Sequence, residues 1–117
     1  MESPQERLAL LREYLGNDTR QVKEMVELFL EKIPEDLHEL KMLNRQKEYE
    51  KLGHTAHRIK SSVKLFGMHK VAAILQKLET SEKQNLNSGE RDSLVRQVAE
   101  HMEKELKNLQ QQLETLP

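Results

Sequence analysis

Cysteine and tryptophan are absent from this 117-residue sequence, and glycine (four), proline (three), phenylalanine (two) and tyrosine (two) are scarce. Without cysteine there is no disulfide, no thiolate metal ligand and no cysteine nucleophile. A reducing compartment is the simplest setting for such a chain. The prolines stand at 4, 34 and 117, so most of the chain is free of the residue that breaks helices. No apolar run approaches the roughly 18 residues that a membrane span requires. The opening MESPQERLALL lacks the basic start and apolar centre of a signal peptide. A surplus of charge is missing too: 19 Lys and Arg face 20 Asp and Glu, a net charge of −1. Holding nucleic acid or an anionic membrane takes concentrated positive charge, so neither partner is expected. These absences lead to the expectation of one cytoplasmic, monomeric domain spanning residues 1–117.

What the sequence does contain is leucine, glutamate, lysine and glutamine in abundance, all good helix formers. No segment alternates apolar and polar residues as a half-buried strand would. A short leading helix is expected over about 5–15, with Pro4 in its first turn, Leu8, Leu11 and Leu15 as its stripe and Gly16 as its stop. Asn17 or Asp18 should cap a second helix, Gln21 being placed for a capping box with Asp18. Its inner stripe is Val22, Met25, Phe29, Ile33, Leu37 and Leu40, and Pro34 should bend or briefly interrupt it without changing the phase. After a turn near 44–47, the steps of three and four from Tyr49 through Leu52, Ala56, Ile59 and Val63 to Phe66 mark a third helix, ended by Gly67. Met68, Val71, Leu75 and Leu78 mark a fourth. SEKQNLNSGE (81–90) reads as a loop, and Ser88 is placed to cap a long last helix with its seam at Leu94, Val98, Met102, Leu106, Leu109, Leu113 and Leu116. Short connections between amphipathic helices make this an all-α, antiparallel up-and-down four-helix bundle over about 18–116, with the short extra helix in front.

A bundle has many uses, so function must come from particular side chains. At about 100° per residue, His57 points about 130° away from the seam of its helix. Gly53, Lys60, Ser61 and Lys64 share its sector. Both residues one turn away, Gly53 and Ser61, are small, which should leave the imidazole open. An exposed imidazole is largely neutral at pH 7 and keeps one nucleophilic lone pair. A nucleophile beside two ammonium groups suits an anionic electrophile, of which phosphoryl is the commonest. His54 could partner His57 at a metal, with Glu50 nearby as a third ligand, but a helical histidine pair without clear third and fourth ligands is weak evidence for a metal site. The remaining histidines, His38, His69 and His101, have no partners that spacing identifies. A hydrolytic or metal-dependent enzyme is disfavoured, because there is no Gly-rich phosphate loop and no carboxylate cluster at ligand spacing.

AHRIKSSVKLFG (56–67) resembles the signature of the histidine-containing phosphotransfer (HPt) domain. Ala56 precedes the histidine, Ile59 and Lys60 follow at the second and third positions after it, small Ser61 comes next, and Gly67 lies ten residues on. Downstream, LQKLE (75–79) is similar to the family's fourth helix, and the likeness in helix pattern covers most of residues 17–110. Ser61 stands where the family usually has glycine. The resemblance implies that His57 accepts a phosphoryl group on Nε2, that Lys60 offsets its charge, and that Glu79 bonds Nδ1 and orients the ring. Gly53, Arg58, Ser61, Lys64 and Gly67 would form the partner-binding rim. The implied partners are response-regulator receiver domains and a hybrid sensor histidine kinase. The implied chain is a phosphocarrier and not an enzyme by itself, with no metal or cofactor of its own and magnesium supplied by the receiver. The alternative is a docking module of the same shape whose histidine is idle.

Overall fold

The computed structural model describes residues 11–13, 16 and 18–115. Four helices carry the fold: α1 (Thr19–Arg45), α2 (Tyr49–Leu65), α3 (His69–Glu79) and α4 (Ser88–Thr115). There is no strand among the described residues. Residues 11–13 are helical and Leu11 is fully buried, so the end of the leading helix packs on the bundle. The rest of that helix, including Pro4, Leu8 and Leu15, lies outside the described residues, as do Asn17 and Leu116.

Each connection has a chemical cause. Asp18 caps α1, its side chain accepting from the backbone N–H of Arg20 at 3.0 Å and of Gln21 at 3.3 Å. Helix α1 then runs 27 residues straight through Pro34 as one element. The missing proline donor costs a single backbone bond, which the unbroken apolar stripe on the other face outweighs. The helix continues to Arg45, so the turn falls at 46–48, later than its composition suggests. Lys47 takes φ +59°, and the Glu48 N–H closes back on the Leu43 carbonyl at 2.9 Å. The same closure recurs after α2, where Gly67 at φ +67° lets the Met68 N–H reach the Val63 carbonyl at 3.2 Å. Only glycine takes that left-handed geometry at little cost, which is why α2 stops there.

Asn87, not Ser88, caps α4. Its Oδ1 accepts from the Glu90 N–H at 2.8 Å while the Glu90 carboxylate takes the Asn87 N–H at 3.3 Å. Asparagine and serine adjoin here, and the acidic residue three positions on belongs to the asparagine. Ser88–Glu90 are thus the first turn of α4, and the connecting turn is 80–87. Replacing Asp18 or Asn87 with alanine is expected to cost about 1 kcal/mol each in urea denaturation, with no change in helix content.

Helix α1 packs on α2 and α4, and α3 packs on α2 and α4, so α1 and α3 lie on one diagonal and α2 and α4 on the other. The inner stripes meet in one core: Val22, Phe29, Ile33 and Leu40 from α1, Leu52, Ala56, Ile59 and Val63 from α2, Val71, Leu75 and Leu78 from α3, Val98, Met102 and Leu109 from α4. Phe29 and Phe66 meet with ring centroids 4.2 Å apart at 38°, a tilted contact that adds to the apolar burial. Met25, Leu37, Leu94, Leu106 and Leu113 sit at the core's edge, half-buried.

Buried residues outside the expected stripes include Val26, Ala72, Val95 and four polar ones, Asp36, Thr55, Ser81 and Arg91. Tyr49, expected in the seam, is half-buried and lies under the Arg91 guanidinium, 3.7 Å from carbon to ring centroid.

Candidate functional site

His57 stands on α2 with its side chain 60 % exposed. Its seam neighbours Ala56 and Ile59 are fully buried, so the ring's outward direction is fixed by the helix itself. Across the α2–α3 groove, Glu79 places Oε1 at 2.5 Å from His57 Nδ1 and Oε2 at 2.5 Å from Lys60 Nζ. One carboxylate therefore spans the two residues of α2. Gln76, one turn back on α3, accepts a second bond from Lys60 Nζ at 2.6 Å.

This arrangement sets the protonation of the site. The hydrogen bond from Lys60, aided by the one from His57, holds the Glu79 carboxyl below its ordinary value, against the opposing effect of burial. Glu79 is then an anion at neutral pH and can only accept. In the neutral ring the hydrogen then sits on Nδ1, facing the carboxylate, which leaves the lone pair on Nε2.

The geometry depends on how closely α2 and α3 approach. Gly53 is buried, and a Cβ built there would lie 3.1 Å from the Glu79 carbonyl oxygen. This corrects the exposed position that helical angle alone assigned to Gly53. The angle locates a residue relative to its own helix, whereas α3 covers this part of α2. The glycine thus serves close packing, and the contact it permits is with the backbone of the residue that holds His57.

The other expected rim residues divide. Lys60 is largely covered by α3, its side chain only 12 % exposed. Ser61 is exposed, with its hydroxyl folded back onto the His57 carbonyl at 3.1 Å, so it adds little bulk beside the ring. Lys64 is exposed two turns past His57. Gly67 is buried in its turn and offers no rim. Arg58 turns the other way, to α1, donating to Asp36 at 3.1 Å and Glu39 at 2.7 Å. Its pKa is raised, first by the bond to Glu39 and then by Asp36, despite some burial. Asp36 is buried and needs that cation, so Arg58 clamps α1 to α2 and is not free for an anion at His57.

A concavity of about 450 Å³ beside the ring is lined by Tyr49, Glu50, Gly53, His54, His57, Glu79 and Glu82. Among the described residues, no group of three or more His, Asp or Glu could hold a metal ion. A larger groove of about 980 Å³ runs between α1 and α4 and is lined by none of the expected site residues. On the other flank of α2, Leu28 and Leu65, the two exposed large apolar side chains among the described residues, line a small groove with Met25, Phe29, Lys32 and Ser62. No described helix is long and apolar enough to cross a membrane.

Sequence reasoning missed Gln76 and Asp36. Both carried a signal: Gln76 lies three residues before Glu79 on the same face, and Asp36 falls in phase with Ile33 and Leu40, where a lone carboxylate demands a cation.

The family model described as "Hpt domain" matches residues 24–116. No curated protein and no solved structure matches the chain.

Proposed function

We propose that His57 of this chain is the phosphoryl acceptor of a relay, from the premise that the chain belongs to the Hpt domain family, whose members carry histidine phosphotransfer in two-component phosphorelays. The observation that carries the assignment is the exposed ring with Nδ1 held by an ionised Glu79. The Nε2 lone pair attacks the phosphorus of a receiver's aspartyl phosphate. The P–N bond forms as the P–O bond to the aspartate breaks, and the carboxylate leaves with its electron pair. The ring becomes a phosphorylated imidazolium, its Nδ1–H still bonded to Glu79, whose charge offsets the one that develops. Transfer onward to a second receiver is the same step reversed.

In-line phosphoryl transfer asks for position and charge neutralisation more than for acid–base machinery. The chain supplies the first through Glu79 and part of the second through Lys60 and Lys64. Magnesium belongs to the receiver. The chain is a carrier, acting with receivers and a hybrid kinase, and 1–117 works as one domain.

A receiver seated on Nε2 also covers the apolar groove. Leu65 is eight residues from His57, about 12 Å along the helix. A partner footprint of roughly 800 Å² has a radius of about 16 Å. Leu65 falls within that radius, and with Leu28, which lines the same groove, it supplies apolar contact that Lys60 and Glu79 cannot.

A receiver domain charged with acetyl phosphate in the presence of magnesium tests the assignment. The parent chain is expected to take up an acid-labile, alkali-stable phosphoryl group, and His57→Gln none. Equal labelling of His57→Gln would remove the assignment. Receiver binding with no label on the parent would favour the docking module instead.

A further inference from the structure

Lys60 is not held by Glu79 alone. Gln76 gives its ammonium a second acceptor at 2.6 Å, from the adjacent turn of the same helix face. A lysine stem carries about 2 kcal/mol of rotamer freedom, and an ammonium tied at one point can swing about that bond. Two oxygens from α3 leave it a single position. They also use two of its three N–H donors, so one remains for a group arriving at Nε2.

The chemistry of the second acceptor matters as much as its place. Glu79 already balances Lys60, one negative charge against one positive. A carboxylate at position 76 would bond the ammonium at least as well but would leave the cluster negative, facing an incoming phosphoryl group. A carboxamide positions the cation without cancelling its charge.

We propose that Gln76 is a positioning residue of the phosphoryl site: its neutral oxygen fixes the Lys60 ammonium beside Glu79 and keeps that ammonium's charge available to the phosphoryl group on His57. This rests on the acceptor role of His57, and it adds a requirement that the family signature around His57 does not contain.

The test compares two variants of the full chain in single-turnover transfer from the acetyl phosphate-charged receiver. Gln76→Glu changes charge at nearly constant shape, and Gln76→Met keeps length but removes the acceptor. Gln76 is exposed, so both should fold, and thermal melting is recorded for each. Gln76→Met is expected to transfer roughly threefold more slowly than the parent, and Gln76→Glu roughly tenfold or more, with part of the Gln76→Glu deficit relative to the parent recovering as salt screens the added charge. Melting of Gln76→Glu should match or exceed that of the parent, because its bond to Lys60 is stronger. A residue needed only for folding would not separate the two properties in this way. Parental rates in both variants would overturn the proposal while His57→Gln, run alongside, stays unlabelled and the acceptor assignment stands. Equal slowing of both variants with matching losses in melting temperature would also overturn it. An unlabelled parent would remove the acceptor assignment and the proposal together.

Discussion

Glu79→Gln is expected to slow phosphoryl acceptance by roughly 10²-fold while leaving the helical fold intact, measured by single-turnover transfer from a charged receiver. The substitution is nearly isosteric, so its effects are electrostatic. A carboxylate can only accept, whereas an amide can turn its NH₂ toward the ring. Part of the population then carries its hydrogen on Nε2, where no lone pair is left to attack. The imidazolium formed on transfer loses its counter-charge, its bond passing from a charged acceptor to a neutral one, a change of about 1 kcal/mol. Lys60 loses its anionic partner and is left with neutral oxygens alone, those of the amide and of Gln76. Each effect is worth several-fold to tenfold, and together they reach the stated size.

The same substitution changes how stability depends on pH. The Glu79 carboxyl lies below its ordinary value of 4.5 because Lys60 bonds the ionised form, with His57 adding to this and burial opposing it. A group whose folded pKa is depressed contributes stability that is fully present above its unfolded value. That contribution is lost as pH falls from about 4.5 through the folded value. At neutral pH Glu79→Gln should therefore unfold at lower urea than the parent. Below pH 4.5 the difference should shrink, because a protonated Glu79 resembles the amide. Urea midpoints from pH 7 down to pH 3 read this directly, and a gap that stays constant or widens in acid would contradict the ion-pair account.

How far the sequence carries depends on what kind of information a feature uses. The Asp18 cap, the Gly67 stop and the stripes of α1, α2 and α3 depend on residues within one or two turns, so they can be read locally; the Asn87 cap is as local, but the adjoining Ser88 masks it. His57 and Glu79 were legible through the motif and its spacing. Gly53 and Lys60 were placed in the open sector because a helical wheel knows only its own helix; α3 closes over both. The resemblance puts Arg58 on the rim, yet the buried Asp36 of α1 claims it, and no pattern within α2 contains Asp36. The seam of α4 that apolar spacing marks, 94, 98, 102, 106, 109, 113 and 116, leaves out its first turns. There Arg91 and Val95 are in phase with Val98 and Met102, but a seam sought among apolar residues passes over an arginine.

That arginine carries a large stability effect for a residue outside the apolar stripes. Arg91 is 5 % exposed, its guanidinium carbon lies 3.7 Å from the Tyr49 ring centroid, and its Nε donates to Ser81 Oγ at 3.0 Å. Ser81 itself is 1 % exposed. Arg91→Leu removes a desolvated cation–π contact worth about 2 kcal/mol and leaves the Ser81 hydroxyl dry at a cost of about 1–3 kcal/mol. Relief of the buried charge offsets part of this. The net loss should be about 2–3 kcal/mol, or about 10 °C in melting temperature for a chain of this length. Arg91→Lys should recover little, because an ammonium cannot stack flat on the ring and reach Ser81 together. Adding Ser81→Ala to Arg91→Leu should return the hydroxyl's share, and a double variant no more stable than Arg91→Leu would show that the Ser81 bond contributes nothing. The consequence extends to the site. Ser81 lies at the start of the 80–87 turn, two residues past Glu79, and the α2 face opposite is kept close by Gly53, so Arg91 anchors the end of α3 that carries the carboxylate. Transfer to Arg91→Leu, measured well below its melting temperature, should fall several-fold but less than in Glu79→Gln. A loosened end still presents the carboxylate part of the time, whereas the amide never does.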